Sequence, residues 1–385
     1  MNDLTTEAAG ILDDGLRAIA NDETHTSHRL MSDNLLTSIV CNYGLCSDNL
    51  QKLSSVFNAS LKASQNGSTV IEAFITARND VFEKIEALFQ RREWSTNDRV
   101  EEFNVATRTT SSAKCTGDGR IYIIKCYDHF YYLYDTDANR CLMVTTGDKK
   151  AITMVNILLL APYLLHGDLY AVHGGLVSDG KSGVLISSSS LGGKTTLALL
   201  FLENGWQIVT EETTYITKQG RPLNYNIRNY FNIRAGTYLE FQHFFARAGI
   251  VNGSFLAMAN TPRNDLFELG KKGQMSIDFE SLSQAGKNAA PERITHVLEI
   301  ALDKNRSGMV VEKRDSLKNV DRFLEVSLAP TVMLFQRLTN MTSLNANERA
   351  AELARIFADV QSYSVTSGFD YRRNFAVLLD QISRP

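Results

Sequence analysis

The chain has 385 residues, 44% of them hydrophobic and 22% charged, with a formal net charge of −3. That balance supports one large or two ordinary packed domains and excludes a disordered or fibrous chain. It also excludes a broad basic surface for nucleic acid, and no run of about 18 apolar residues reads as a membrane span.

The opening "MNDLTTEAAGILDDG" is acidic, without the basic and then apolar pattern of a secretory signal, so the expected location is cytoplasmic. From about residue 4 to 95 apolar positions recur at helical spacing, as in "NLLTSIVCNYGLCSDNLQKL" and "STVIEAFITARNDVFEKIEALFQ", which predicts a helical N-terminal region over residues 1–112. No catalytic constellation is found there, and packing or partner docking is its expected role. The weak H-x-x-H of His25 and His28 is the nearest approach to metal spacing, and the scattered Cys41, Cys46, Cys115, Cys126 and Cys141 read as reduced thiols.

Near residue 115 the pattern turns to strands. "RIYIIKCYDHFYYLYDT" and "CLMVTT" are rich in β-branched and aromatic residues, with "DTDANR" as the turn between them, so a β-meander is expected. "KKAITMVNILLLAPYLLHGD" follows as a buried helix.

The densest chemistry lies in "AVHGGLVSDGKSGVLISSSSLGGKTTLALLFLENGWQIVTEETTYI", residues 171–216. "AVHGGLVS" and "GVLIS" flank "DGKS", which favours an antiparallel hairpin; folding about Gly180 and Lys181 makes partner numbers sum to 361 and sets His173 opposite Ser188. "SSSSLGGKT" then has the spacing of a phosphate-binding G-x-x-x-x-G-K-[ST] loop, with Ser188 where the first glycine usually stands. Serine is small, and only a demand for positive φ or the closest backbone approach would exclude it. The helix "KTTLALLFLEN" ends at Gly205, and "WQIVT" returns as a strand finishing at Glu211 and Glu212. If that strand lies beside the loop strand and parallel to it, Lys194, Thr195, His173 and both acids gather at one carboxyl edge, where such sheets bind ligands.

These residues resemble the core of HPr kinase and its relatives, P-loop kinases with a phosphoenolpyruvate-carboxykinase-like fold that include kinases encoded beside modified-peptide biosynthesis genes. The family has a histidine–glycine strand before the loop and an Asp-Asp pair after the helix. His173-Gly174 matches the first, and Glu211-Glu212 keeps the charge of the second with one more methylene per arm. The resemblance covers residues 171–216, weakens in "KKGQMSIDFESL", and lacks the HPr kinase signature downstream, so HPr itself is not the expected acceptor.

The resemblance implies an α/β fold with a phosphoenolpyruvate-carboxykinase-like P-loop core over residues 113–340 and a β-rich lead-in, while helical spacing in "NANERAAELARIFADVQSYS" and "NFAVLLDQI" predicts helices over 341–385. It implies an ATP- and Mg²⁺-dependent phosphotransferase in which Ser188, Ser189, Ser190, Leu191, Gly192, Gly193, Lys194, Thr195 and Thr196 form the nucleotide loop. Lys194 would meet the β and γ phosphates and Thr195 the metal. Glu211 and Glu212 would divide proton acceptance and metal orientation between them, with Glu212 set beside Thr195 on the metal side and the order left open. His173 would polarise the γ-phosphate or hold the acids. Arg228 and Arg234, in "NYNIRNYFNIRAG", are candidates for a positive group at the transition state, against a reading as surface charge. Asp278 reads more simply as a helix N-cap. The expected partners are a nucleotide and a hydroxyl on a peptide, protein or small molecule, without nucleic acid or membrane; self-association into a homo-oligomer stays open. A degenerate nucleotide-binding regulator, a carboxykinase-like or phosphate-releasing enzyme, and an interaction protein acting through the N-terminal helices are the alternatives.

Overall fold

A computed structural model of the chain describes residues 2–22, 24–31, 35–60, 69–91, 101–105, 109–116, 118–126, 130–146, 149–188, 192–225, 230–278, 291–314 and 346–383. It is mixed α/β and divides into two compact units, with the boundary in the chain between Leu169 and Tyr170.

The first unit contains α1 (Asn2–Ala20), β1 (Thr26–Met31), β2 (Leu35–Cys41), α2 (Gly44–Ser60), β3 (Thr69–Thr76), α3 (Asn79–Gln90), β4 (Glu101–Val105), β5 (Thr109–Cys115), β6 (Ile121–Cys126), β7 (Phe130–Asp135), β8 (Arg140–Thr145) and α4 (Lys149–Leu165). Among the described residues its strands form one sheet in the order β1-β2-β3-β8-β7-β6-β5-β4. The expected meander is present as β6–β8, which are antiparallel neighbours, with Thr136–Asn139 as the turn. Leu12 and Ile19 of α1 and Val81 and Ile85 of α3 pack with Ile123, Tyr131, Leu133 and Leu142 of the sheet. The five cysteines are free and buried, and burial pushes the Cys41 thiol up to about 11 and that of Cys141 to about 12.

The helical reading of the first hundred residues is corrected: "LLTSIVC" and "TVIEAFIT" are the strands β2 and β3. β3 pairs in parallel with β2 on one side and β8 on the other. A central parallel strand is covered on both faces, so it reads as an apolar run without strict alternation, which short helical segments imitate. The line expected at residue 112 falls within β5.

The second unit contains β9 (Leu169–His173), β10 (Gly175–Ser178), β11 (Gly183–Ser188), α5 (Lys194–Glu203), β12 (Gln207–Thr210), β13 (Thr213–Thr217), β14 (Tyr230–Arg234), α6 (Ala235–Glu240), α7 (Gln242–Arg247), α8 (Gly253–Leu256), α9 (Arg263–Glu268), β15 (Gln274–Asp278), β16 (His296–Leu302), β17 (Met309–Arg314), α10 (Ala346–Ile356), β18 (Gln361–Ser367) and α11 (Phe375–Ser383). Its main sheet has the order β12-β10-β11-β16-β18-β17. β11, β16 and β18 are parallel neighbours, so their carboxyl ends share one edge. α5 is buried along most of its length: Leu197, Leu199, Leu200 and Phe201 pack into the same core as Val184 and Ile186 of β11, Leu298 and Ile300 of β16, and Phe375 and Leu378 of α11. Gly205, at φ 85°, closes α5 in the left-handed conformation expected of it.

Two expectations are revised in this unit, and a third falls beside residues that are not described. β12 does run parallel to β11, but β10 stands between them and pairs antiparallel with each. Asp278 ends β15, opposite Tyr230, and the residues of the helix it was expected to cap lie outside the described residues. The C-terminal segment is not helical throughout, because β18 sits inside the sheet between β16 and β17. The expected hairpin register holds over β10 and β11, where Gly175 faces Ile186 and Ser178 faces Gly183, but the pairing does not extend to His173 and Ser188, since His173 belongs to β9. A register one residue off would turn every buried side chain of β10 to the wrong face.

The apolar strand expected over "AVHGGLVS" breaks at Gly174, and β9 leaves to pair with β13. A chain of threonine hydroxyls holds the bend. Thr214 Oγ1 donates to Gly174 O at 2.8 Å, Thr210 and Thr214 Oγ1 lie 2.6 Å apart, and Leu176 N–H donates to Thr210 Oγ1 at 3.1 Å. A hydroxyl has one proton, so Thr214, having given its own to Gly174, accepts from Thr210. Both threonines are 0% exposed and flank the acid pair. Thr214→Val keeps the shape but strands the Gly174 carbonyl and the Thr210 proton, and is expected to cost about 1–3 kcal/mol. Urea unfolding with an unchanged slope measures it; Thr214→Ser should stay near wild type, and a valine variant as stable as wild type would remove the hydroxyl chain from the account.

Candidate active site

At the carboxyl edge of β11, β16 and β18 a cavity of about 310 Å³ is lined by His173, Ser188, Gly192–Thr196, Glu211, Glu212, Arg234, Glu240, Arg263 and Tyr371, among others. Ser188 is buried and closes β11 in a regular parallel pairing with Ile300. It is absent from the non-glycine residues with positive φ, so a serine meets no strain there. The glycine that the loop cannot lose is Gly193. Its φ is 96°, and a Cβ built on it would lie 1.7 Å from the Tyr371 hydroxyl oxygen. That hydroxyl donates to Gly192 O at 3.1 Å.

Gly193 is also the N-cap of α5 and offers no side chain to the helix. The first N–H groups of a helix have no intrahelical acceptor, and together with the dipole they make its N-terminus a site for anions. Lys194 Nζ lies 3.1 Å from His173 Nε2. An ammonium group has no lone pair to offer, so the imidazole accepts through Nε2. His173 is placed in turn by its own carbonyl, which accepts from Ser187 Oγ at 3.0 Å. Thr195 Oγ1 donates to Glu211 Oε1 at 3.2 Å, and Thr196 Oγ1 lies 3.0 Å from Thr237 Oγ1.

Of the expected site residues, the structure thus brings His173, Ser188, Gly192, Gly193, Lys194, Thr195, Thr196, Glu211, Glu212 and Arg234 to one cavity. Ser189, Ser190, Leu191 and Arg228 lie outside the described residues. Arg234 carries a buried Nη1 without a hydrogen-bond partner, and burial pushes its guanidinium below the usual arginine range. A buried cation without an acceptor is costly, so this wall suits an anion.

Several cavity residues carry no motif. Arg263 donates to the Gly236 carbonyl and reaches Glu240 Oε2 at 3.4 Å. Tyr371 and Phe369 arrive from the segment after β18, and Phe267 from α9. The one hint of their role is that "GFDY" directly follows a strand, since a loop at a strand's carboxyl end reaches this edge. Among the described residues no group of three or more His, Cys, Asp and Glu side chains gathers to hold a metal unaided. A divalent cation here would share its ligands with phosphate oxygens, the usual arrangement for Mg²⁺.

A second cavity, of about 580 Å³, opens at the opposite edge around Ser182, His296 and Gln361. It is larger, but it holds neither the lysine nor the acid pair. Among the described residues no helix is long and apolar enough to cross a membrane. No family model matches the chain, and no curated protein matches it in sequence.

Glu240 provides a test of the cavity's electrostatics. Burial, with Asp370 and Glu203 nearby, pushes its carboxyl up to about 7, while Arg263 and Arg372 pull the other way. Between the ordinary glutamate range and about pH 7 the folded chain keeps a proton that the unfolded chain has released. Stability therefore falls as pH rises through that window, and the loss is complete above it. Glu240→Gln removes the titration, so its stability relative to wild type should climb by up to about 3 kcal/mol between pH 4.5 and 8. Thermal melts across that range check this, and a constant difference between the two proteins would contradict it.

Proposed function

We propose that the chain is an ATP- and Mg²⁺-dependent kinase with a phosphoenolpyruvate-carboxykinase-like P-loop core, transferring the terminal phosphoryl group to a hydroxyl. The observation that carries this reading is the meeting, in one cavity, of an uncapped helix N-terminus bearing Lys194, a Thr195–Glu211 hydrogen bond, and a second acid, Glu212. Phosphoryl transfer asks for this combination, because it depends on positioning and charge neutralisation more than on covalent help from the protein.

The cavity's residues fit a polyphosphate and a cation. The N–H groups at the start of α5, Lys194 and Arg234 supply positive charge, and the acids face them. Bound Mg²⁺ would neutralise charge on the phosphate oxygens, and Thr195 with Glu211 is the pair that would hold it. Glu212 is then the acid left to accept the proton of the attacking hydroxyl. This division departs from the arrangement in which Glu212 serves the metal, and the Thr195–Glu211 contact at 3.2 Å favours it. His173 acts through Lys194: its Nε2 accepts from the ammonium and keeps the lysine aimed into the cavity until phosphate replaces it. Arg234 lends its charge to the transferring group.

Lys194→Ala should abolish the stabilisation that Mg-ATP gives, which for wild type is about 2.7 kcal/mol at a hundredfold excess over Kd. Unliganded melting temperatures should stay close. Equal ATP-induced shifts in wild type and variant would refute the loop assignment. With γ-labelled ATP and a cell extract as acceptor source, Glu212→Gln should bind ATP but transfer label at least roughly a hundredfold more slowly. Glu211→Gln should weaken Mg-ATP binding as well. Label transfer indifferent to both substitutions would put the chemistry elsewhere, and a wild type that binds ATP without labelling anything would indicate a nucleotide-binding regulator.

A further inference from the structure

The topology of the second unit gives the cavity a direction. The loop strand β11 has β12, with its acids, two strands away on one side, and β18, leading to Phe369, two strands away on the other. Each offset spans two strand spacings, about 10 Å. For a phosphoryl group to reach an acceptor activated at the acids, the terminal phosphate must lie on the β12 side of the loop. The rest of the nucleotide then extends the opposite way, over the ends of β16 and β18.

An apolar corner stands there. Leu302 ends β16, Phe369 follows β18, and Phe267 of α9 meets Phe369 edge to face, with centroids 6.0 Å apart at 62°. All three line the cavity that holds Lys194, and both rings are only partly buried; Lys304 Nζ stands over one face of Phe267, 4.2 Å from its centroid, which leaves Phe369 as the main ring surface for a ligand. The segment bearing Phe369 is anchored at both ends. Gly368 N–H donates to Gly308 O at 3.0 Å, and Tyr371 donates to Gly192 O in the phosphate loop at 3.1 Å. A Cβ at Gly368 would collide with the Arg306 carbonyl, so the two backbone segments approach closely there. The corner is therefore fixed relative to the phosphate-binding end of α5.

We infer that Phe267, Leu302 and Phe369 hold the purine base of the nucleotide, an inference that rests on the nucleotide reading above. A planar base offers a π-face to the aromatic rings and apolar contact to Leu302, whereas a bare polyphosphate gains nothing from this corner.

Calorimetry on the full chain with Mg²⁺ and two probes, ATP and inorganic tripolyphosphate, tests it. Wild type should prefer ATP by roughly tenfold or more, Phe369→Ala should lower ATP affinity by roughly tenfold while tripolyphosphate binding stays within about twofold, and Phe369→Tyr should restore ATP binding. If the alanine variant does not fold, Phe369→Leu keeps the volume without the ring and serves the same comparison. ATP binding unchanged in these variants would overturn the inference and turn the corner over to the acceptor. So would equal losses for both probes, or a wild type that binds tripolyphosphate as tightly as ATP. A wild type that binds neither probe would overturn the nucleotide reading itself, and the inference with it.

Discussion

Gly193 is held in a left-handed turn beneath the Tyr371 hydroxyl, and the rest of the site is referred to that point. The turn ends the loop from β11 and starts α5 without a capping side chain, so the helix presents unsatisfied N–H groups to the cavity. Tyr371 ties the same point to the segment after β18 through Gly192. One contact thus joins the N-terminal end of the helix to the parallel strands. No side chain larger than hydrogen fits at Gly193, while Ser188, at the place usually given to the loop's first glycine, lies in regular strand pairing.

Around this point the site gathers charged groups in one confined cavity. Lys194 rests on His173, Arg234 has a buried Nη1 without an acceptor, and Glu240 is pushed towards neutrality. Folding a chain around such groups costs stability, and the apolar burial of α5 between the sheet and α11 offsets it. Such preorganisation suits the proposed phosphoryl transfer, since donors already aimed need no rearrangement when charge moves. The threonines at 210 and 214 do the same for the acids, fixing the turn that bears Glu211 and Glu212 through their buried hydroxyls.

Much of this was readable from the sequence where local rules govern. The 361 register of β10 and β11 follows from a short turn between two buried strands, and the start and end of α5 follow from its apolar run between Gly193 and Gly205. Long-range order was not readable. Nothing in "WQIVT" shows that β10 would stand between β12 and β11, because strand order is decided by tertiary packing. β2 and β3 were hidden by the ambiguity of short apolar runs, and β18 by the helices on either side of it. Arg263, Phe267, Phe369 and Tyr371 reach the cavity from segments far along the chain and belong to no motif, so only the fold reveals them. Glu211's contact with Thr195 is likewise a matter of side-chain geometry, which spacing alone left undecided.

The proposed activity requires the loop and helix α5 to bind a triphosphate beside the acid pair. A crystal structure with Mg²⁺ and a non-hydrolysable ATP analogue tests this most directly. The account requires phosphate oxygens at the N–H groups of Gly193 to Thr196, Lys194 drawn from His173 onto them, and the metal between Thr195 and Glu211. Density for the analogue at another surface, with the Lys194–His173 contact unchanged, would contradict it.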